Sequence, residues 1–240
     1  MPDQSYPIDK VNRVKRVHER GRYDYATVHA LLDTAAVCHV SYVIDGQPYC
    51  TPTLYWREGT RLYWHGSSAS RMLRTLSDGV ATCLTVTHID SLVMARCGFN
   101  HSVDYRSVMA FGTAHLITDQ AEKERALVMM VDRLVPGRTA QLRQSSTQEI
   151  KATGVISMEI ERASAKIRTK GVGDEEEDYA LPIYAERIPL RTVIGRPEPC
   201  PRLLPGVERP ANLAPYREGR TLEDALTETY GIAYGEAAGP

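Results

Sequence analysis

The residues best placed to do chemistry lie in one stretch of this 240-residue chain, "RLYWHGSSASRMLRTL", Arg61 to Leu76. Gly66 permits a tight turn, and Ser67, Ser68 and Ser70 bring hydroxyls and backbone N–H groups to it. A helix starting behind them turns unpaired donors and a positive dipole end outward. Arg71 adds a fork of donors at the same place. Such a set suits a phosphate dianion, because each orphan donor gains a strong acceptor. The same residues also suit a plain helix cap, with Arg71 and Arg74 on a solvated face. Local spacing leaves both readings open.

The elements that must position this turn are mostly strands. "AVCHVSYV", the pair Asp45-Gly46, "QPYCTPTLYW", a turn around Glu58-Gly59 and "RLYWH" predict a three-stranded meander with two tight hairpins. "VATCLTVT" and "SLVMAR" predict two further strands joined by a turn at His88-Ile89-Asp90. "SVMAFGTAHLI" predicts a strand in which Gly112 marks a bulge or a close approach of another backbone or a ligand. "GVISMEIERASAKIR" alternates as a last, half-exposed strand. Asp24 caps a short helix from about Tyr25 to Thr34, and Asp119 with Glu122 opens a longer one to Leu134, closed by Pro136-Gly137. Strands that follow one another, with few helices between, predict a mainly β protein: an antiparallel barrel with flanking helices, and no Rossmann sheet. Residues 1–190 are expected to form this domain with an N-terminal arm and helix, and residues 191–240 a Pro-rich, extended tail.

Bulk properties narrow the function. A formal net charge of −1 gives no global field for nucleic acid or an anionic membrane. No window approaches the ~20 apolar residues of a membrane span, and the N-terminal residues lack the apolar core of a signal peptide, so a soluble cytoplasmic protein is expected. Cys38, Cys50, Cys83, Cys97 and Cys200 are scattered without metal-ligand spacing and read as buried free thiols. His39, His88, His101 and His115 form no ligand-like pairing, so no metal site is expected. The acidic run Asp174 to Asp178 reads as a solvated loop. Tyr42, Tyr55, Trp56, Tyr63 and Trp64 crowd the meander, some for the core and others able to stack on a planar ring.

The order of "QPYCTPTLYW", "LYWHGSSASRML", "LTVTHIDSLVMAR" and "DYRSVMAFGTAHLI" resembles the pyridoxamine 5′-phosphate oxidase-like superfamily of FMN-binding split β-barrels, in its flavin-nucleotide-binding, nitroimidazole-resistance branch. The resemblance runs from about Arg13 to Pro189. It implies a homodimer with FMN in a groove at the interface, its phosphate held by the strand-turn-helix from His65 through Gly66, Ser67 and Ser70 to Arg71, with Trp64 and Met72 also among the cofactor-binding residues. Pro52 and Thr53 would lie along the isoalloxazine edge, Thr85 and Thr87 near its other contacts, and Tyr105, Arg106 and Ser107 on the "Y-R-S-V-x-x-F-G" strand. His65 resembles the histidine that sits beside flavin and ligand, and is the candidate catalytic residue. Met72 stands where the vitamin B6 oxidases carry lysine, and their C-terminal arginine and histidine pattern is missing. Tyr184 and Glu186 replace a usual tryptophan and glycine.

A protein of this kind would be an oxidoreductase that passes electrons from a reduced nicotinamide, NAD(P)H, through FMN to a small planar acceptor such as a nitroaromatic or a quinone. Two rivals keep the barrel: a non-catalytic flavin carrier or sensor whose tail covers the flavin, and a relative holding deazaflavin or haem, with His65, His101 or His115 as axial ligand.

Overall fold

Asp24 and Asp119 act as the caps their positions suggest. The Asp24 carboxylate accepts from the Thr27 N–H at the start of a helix, and Asp119 does the same for Glu122. The computed structural model describes residues 4–234, so the first three residues, and residues 235–240 of the expected tail, lie outside the described part. In chain order the elements are β1 (Gly21–Arg22), α1 (Tyr25–Asp33), β2 (Val37–Ile44), β3 (Gln47–Glu58), β4 (Arg61–Ser67) and α2 (Arg71–Thr75). They continue with β5 (Asp78–Met94), β6 (Ser102–Leu116), α3 (Gln120–Leu134), α4 (Thr147–Ala152), β7 (Thr153–Glu159), β8 (Arg162–Arg168), β9 (Glu186–Pro189) and α5 (Leu222–Tyr234).

Strand order is β1-β8-β6-β7-β4-β3-β2-β5-β9, and β5 also pairs with β6, so β6-β7-β4-β3-β2-β5 closes a ring. The fold is an antiparallel split barrel with flanking helices. The meander hairpins turn at Asp45-Gly46 and at Gly59, all with positive φ, the conformation glycine adopts most cheaply. Inside the ring, Val40, Leu62, Trp64, Leu84, Val108, Ile156 and Met158 are buried, each worth about 1.5–3 kcal/mol for a side chain of this class. A second, outer cluster of Trp56, Tyr63, Ile117, Ala126 and Val155 seats α3 on the sheet.

Several expectations need correction. His88-Ile89-Asp90 is no turn: β5 runs unbroken from Asp78 to Met94, taking a register shift between Ile89 and Ser91 as a bulge. The expected last strand is divided into β7 and β8 at Ile160-Glu161, and both lie against β6. Gly112 faces this break, where any Cβ would overlap the Glu159 carbonyl, so close backbone approach explains the glycine. Leu222–Tyr234 is helical where extended chain was expected. Asp174 is no solvated acid: its side chain is buried and accepts from the Arg96 N–H at 3.1 Å, from the Arg96 side chain at 3.2 Å and from Asn100 at 3.3 Å. Of the cysteines Cys38 is buried, but Cys50 and Cys200 are exposed. No helix is long and apolar enough to cross a membrane among the described residues.

Candidate functional site

β4 delivers the turn. Its last pairings with β7, His65 to Val155 and Ser67 to Thr153, carry the strand to the sheet end, where Ser70 starts α2 by accepting from the Leu73 N–H at 3.3 Å. Within the turn Ser68 N–H donates to the Ala152 carbonyl, Ser70 N–H to the Ser67 carbonyl and Ala69 N–H to Ser67 Oγ. That leaves the N–H groups of Arg71 and Met72 as the turn's unbonded donors among the described residues. The Arg71 side chain is exposed and has no carboxylate partner there; its guanidinium carbon lies 4.3 Å from the centre of the Tyr49 ring, which stacks on Tyr42 at 5.8 Å. A guanidinium held on an aromatic platform, next to two free N–H groups and the exposed Ser67 and Ser68, fits a phosphate.

Gly66 is held short by packing. A Cβ there would meet a Leu73 methyl at 3.0 Å, tighter than side chains normally approach. His65 is half-buried, and burial pushes its pKa below the ordinary histidine value, so the ring is neutral near pH 7. Its Nδ1 is buried without a hydrogen-bond partner, and its ring lies 6.2 Å from Trp56. The imidazole is thus available to a ligand rather than spent on the fold.

Register places the remaining candidates. One row crosses the outward face of the barrel as Pro52, His39, Thr85, Met109 and Ser164. The neighbouring pairs Leu54 with Val37, and Thr87 with Ser107 and then Lys166, share that face. Tyr105 follows two residues from Ser107 on the same side. So Pro52, Thr85, Thr87, Tyr105 and Ser107 are brought to one surface, with the turn beyond the β3 end of the row.

Four candidates do not join them. Thr53 pairs with buried Cys38 and has the opposite parity to Pro52. Trp64 is fully buried inside the ring, and the Met72 side chain is core as well, leaving only its N–H to the turn. Arg106 has the parity of buried Val108 and reaches the other side of the sheet, where Glu223 holds it at 2.5 Å and Asp90 at 2.7 Å. Glu223 first, then Asp90, push its pKa up, so it is a structural cation and supplies nothing to the phosphate turn.

Sequence reasoning missed the Tyr49 platform, and it missed His39 and Met109 in the middle of the outward row. Register was the signal for the latter, since a two-residue hairpin at Asp45-Gly46 puts His39 opposite Pro52. No group of three or more His, Cys, Asp or Glu that would hold a metal ion occurs among the described residues.

A family model described as pyridoxamine 5′-phosphate oxidase matches residues 24–167. No curated protein matches the chain. Among solved structures, the flavocytochrome Anf3 from Azotobacter vinelandii is 45% identical, with a TM-score of 0.83 over 88% of this chain and 98% of that one. The FAD and heme binding protein from Mycobacterium smegmatis is 34% identical, with a TM-score of 0.78 over 85% of this chain and 98% of that one.

Proposed function

The chain belongs to the pyridoxamine 5′-phosphate oxidase family, and from that premise we propose that it is a flavin-dependent oxidoreductase, its flavin phosphate at the Ser67–Arg71 turn and its ring along the outward row. The observation that carries this reading is the unspent donor set: Arg71 on Tyr49, the free N–H groups of Arg71 and Met72, and a neutral His65 beside them. Bound flavin would supply hydride uptake from a reduced nicotinamide and release of electrons singly or in pairs.

The chain's own part is positional and electrostatic. Arg71 and the two N–H groups neutralise the phosphate without a buried unpaired charge. Pro52 and Thr85 present a short, stiff surface to a planar ring, since neither side chain has much freedom to lose. His65, neutral and unbonded, donates or accepts at the ligand's edge according to the tautomer the ligand selects. FMN is the nucleotide the family resemblance implies, while the similar Mycobacterium protein is named for FAD. The acceptor in this reading is a small planar nitroaromatic or quinone.

A second reading has specific support. Two relatives at 45% and 34% identity are named a flavocytochrome and a FAD and heme binding protein, so electrons leaving the flavin would pass to haem in the same protein. Of the three histidines considered as axial ligands, His101 bonds the Cys97 carbonyl at 3.0 Å and His115 lies exposed on β6, whereas His65 makes no hydrogen bond among the described residues. His65 therefore fits best.

The outward face also carries exposed apolar side chains, Val37 (51% exposed), Val43 (54%), Ile89 (54%) and Met109 (44%). We take this face to be where two copies meet in a homodimer, which would cover the ring-binding row. An absorption spectrum of the purified protein from 300 to 700 nm tests both readings: flavin bands bleached by NADPH support the oxidoreductase, an added Soret band supports the flavin-haem protein, and a protein that binds neither overturns both. A sedimentation mass of one chain would refute the dimer.

A further inference from the structure

Beside the phosphate turn, with Ser68 and Arg74 in its lining, lies a cleft of about 510 Å³. Arg74 of α2, Lys123 of α3 and Lys151 of α4 line it, over an apolar floor that includes Leu73, Leu116 and Ile150. Among the described side chains no acidic residue lines it, and none of the three cations forms an ion pair.

The surrounding acids are sorted away from it. At the start of α3, Gln120 and Lys123 face this cleft, whereas Asp119 and Glu122 face an adjacent one that also holds Glu159 and Glu161. On α4, Glu149 accepts from Arg143 at 2.6 Å and from the Ser146 N–H at 2.8 Å, so its carboxylate is spent at the capping box. Glu124 accepts from Gln120 at 2.8 Å on the exposed side of α3. Three like charges from three separate helices repel one another around a concavity unless an anion lies between them. The floor adds a requirement, since a bare inorganic anion would leave the half-buried Leu116 and Ile150 uncovered.

We propose that this cleft binds an organic phosphate, whose charged group is shared by Arg74, Lys123 and Lys151 and whose apolar or planar portion covers the floor. The cleft adjoins the phosphate turn and shares Ser68 with it, but its cations are Arg74, Lys123 and Lys151 and not Arg71, so it stands or falls apart from the flavin reading.

The test is calorimetric titration of the full-length protein, as purified, with ADP and with adenosine at low ionic strength, while flavin absorbance is followed in the same samples. Expected are binding of ADP but not of adenosine, at least a tenfold loss of ADP affinity in Lys123→Gln/Lys151→Gln, and unchanged ADP affinity in Arg71→Ala. Both lysines are surface residues of helices, so the double variant is expected to keep the wild-type melting temperature. ADP binding that survives the double substitution, equal binding of adenosine, or no heat from ADP in the wild type would each overturn the site. Release of bound flavin in proportion to ADP would also overturn it, by making the cleft part of the flavin's own phosphate site. Loss of flavin in Arg71→Ala with ADP binding intact leaves this site standing and bears only on the turn.

Discussion

Two arginine-rich regions of this molecule treat charge in opposite ways. Beneath α5, Arg57 is 2% exposed and forks onto the Asp33 carboxylate at 2.9 and 2.6 Å, with further bonds to the Gly59 carbonyl and Tyr230 hydroxyl. Arg133, also buried, donates to the Leu226 carbonyl at 3.2 Å, to Thr229 at 3.1 Å and to the Asp33 carbonyl. Both guanidinium groups lie against the Tyr230 ring, 4.9 and 5.0 Å from its centre. At α2, by contrast, Arg71 rests on an aromatic platform, and neither it nor Arg74 pairs with a carboxylate among the described residues. Burial makes the difference necessary: a desolvated cation without partners costs several kcal/mol, and Arg57 and Arg133 are buried where carboxylate, carbonyl and hydroxyl oxygens answer them. Unanswered cations survive at the surface, and clustered there they mark places kept for a ligand.

Breaking the buried half should have the largest effect. Arg57→Met leaves Asp33 without its principal partner and should cost about 3–5 kcal/mol, read as a fall in denaturant midpoint at unchanged m-value. The same experiment on Arg71→Ala should show no loss beyond about 1 kcal/mol of stability, the scale of an exposed cation–π contact. Its effect should fall on flavin affinity instead, weakened about ten- to a hundredfold as a charge-assisted contact of roughly 1.5–3 kcal/mol is lost. Equal losses of stability in the two variants would erase the contrast. Tyr230→Phe removes one hydroxyl from the buried network and should cost about 1 kcal/mol.

The smallest effect concerns pH. Burial, helped by Arg57, lowers the pKa of His29 to about 3 from 6.5, and Tyr6 Oη lies 2.7 Å from its Nε2. The unfolded chain therefore takes up a proton below about pH 6.5 that the folded one refuses down to about pH 3. Stability contributed by neutral His29 is whole above that window and is lost as pH falls through it. His29→Gln should flatten the dependence of the melting temperature on pH between about 6.5 and 4, measured against wild type.

What could be read in the sequence was what short segments decide for themselves. Asp24, Asp119 and the glycine turns of the meander act within four residues, and so α1, α3 and β2 to β4 were legible. The HGSSASR turn was legible as a strand entering a capped helix, because Ser70 needs only the Leu73 N–H to act. Position across the sheet was not. Whether Arg106 lies with Ser107 or against Glu223 depends on parity fixed by pairing with β5, and its partner is 117 residues distant. The His88-Ile89-Asp90 segment looked like a turn because a polar break between two apolar runs also marks a bulge in mid-strand. α5 was hidden by the prolines ahead of it, although Thr221 caps it by accepting from the Asp224 N–H, a local signal that went unread; contact with α1 and α3 then seats the helix.

The lateness of α5 in the chain sets an order of events. Thr229 lies 96 residues beyond Arg133, a distance a ribosome covers in roughly 5–20 s at ~5–20 residues per second. Throughout that interval the barrel strands β1 to β6 are already synthesised, while Arg57 and Arg133 still lack Tyr230, Thr229 and the Leu226 carbonyl. The nascent domain thus passes through a hydrated, unlatched stage before its last helix docks, and a message truncated ahead of Leu222 would yield a product halted at that stage.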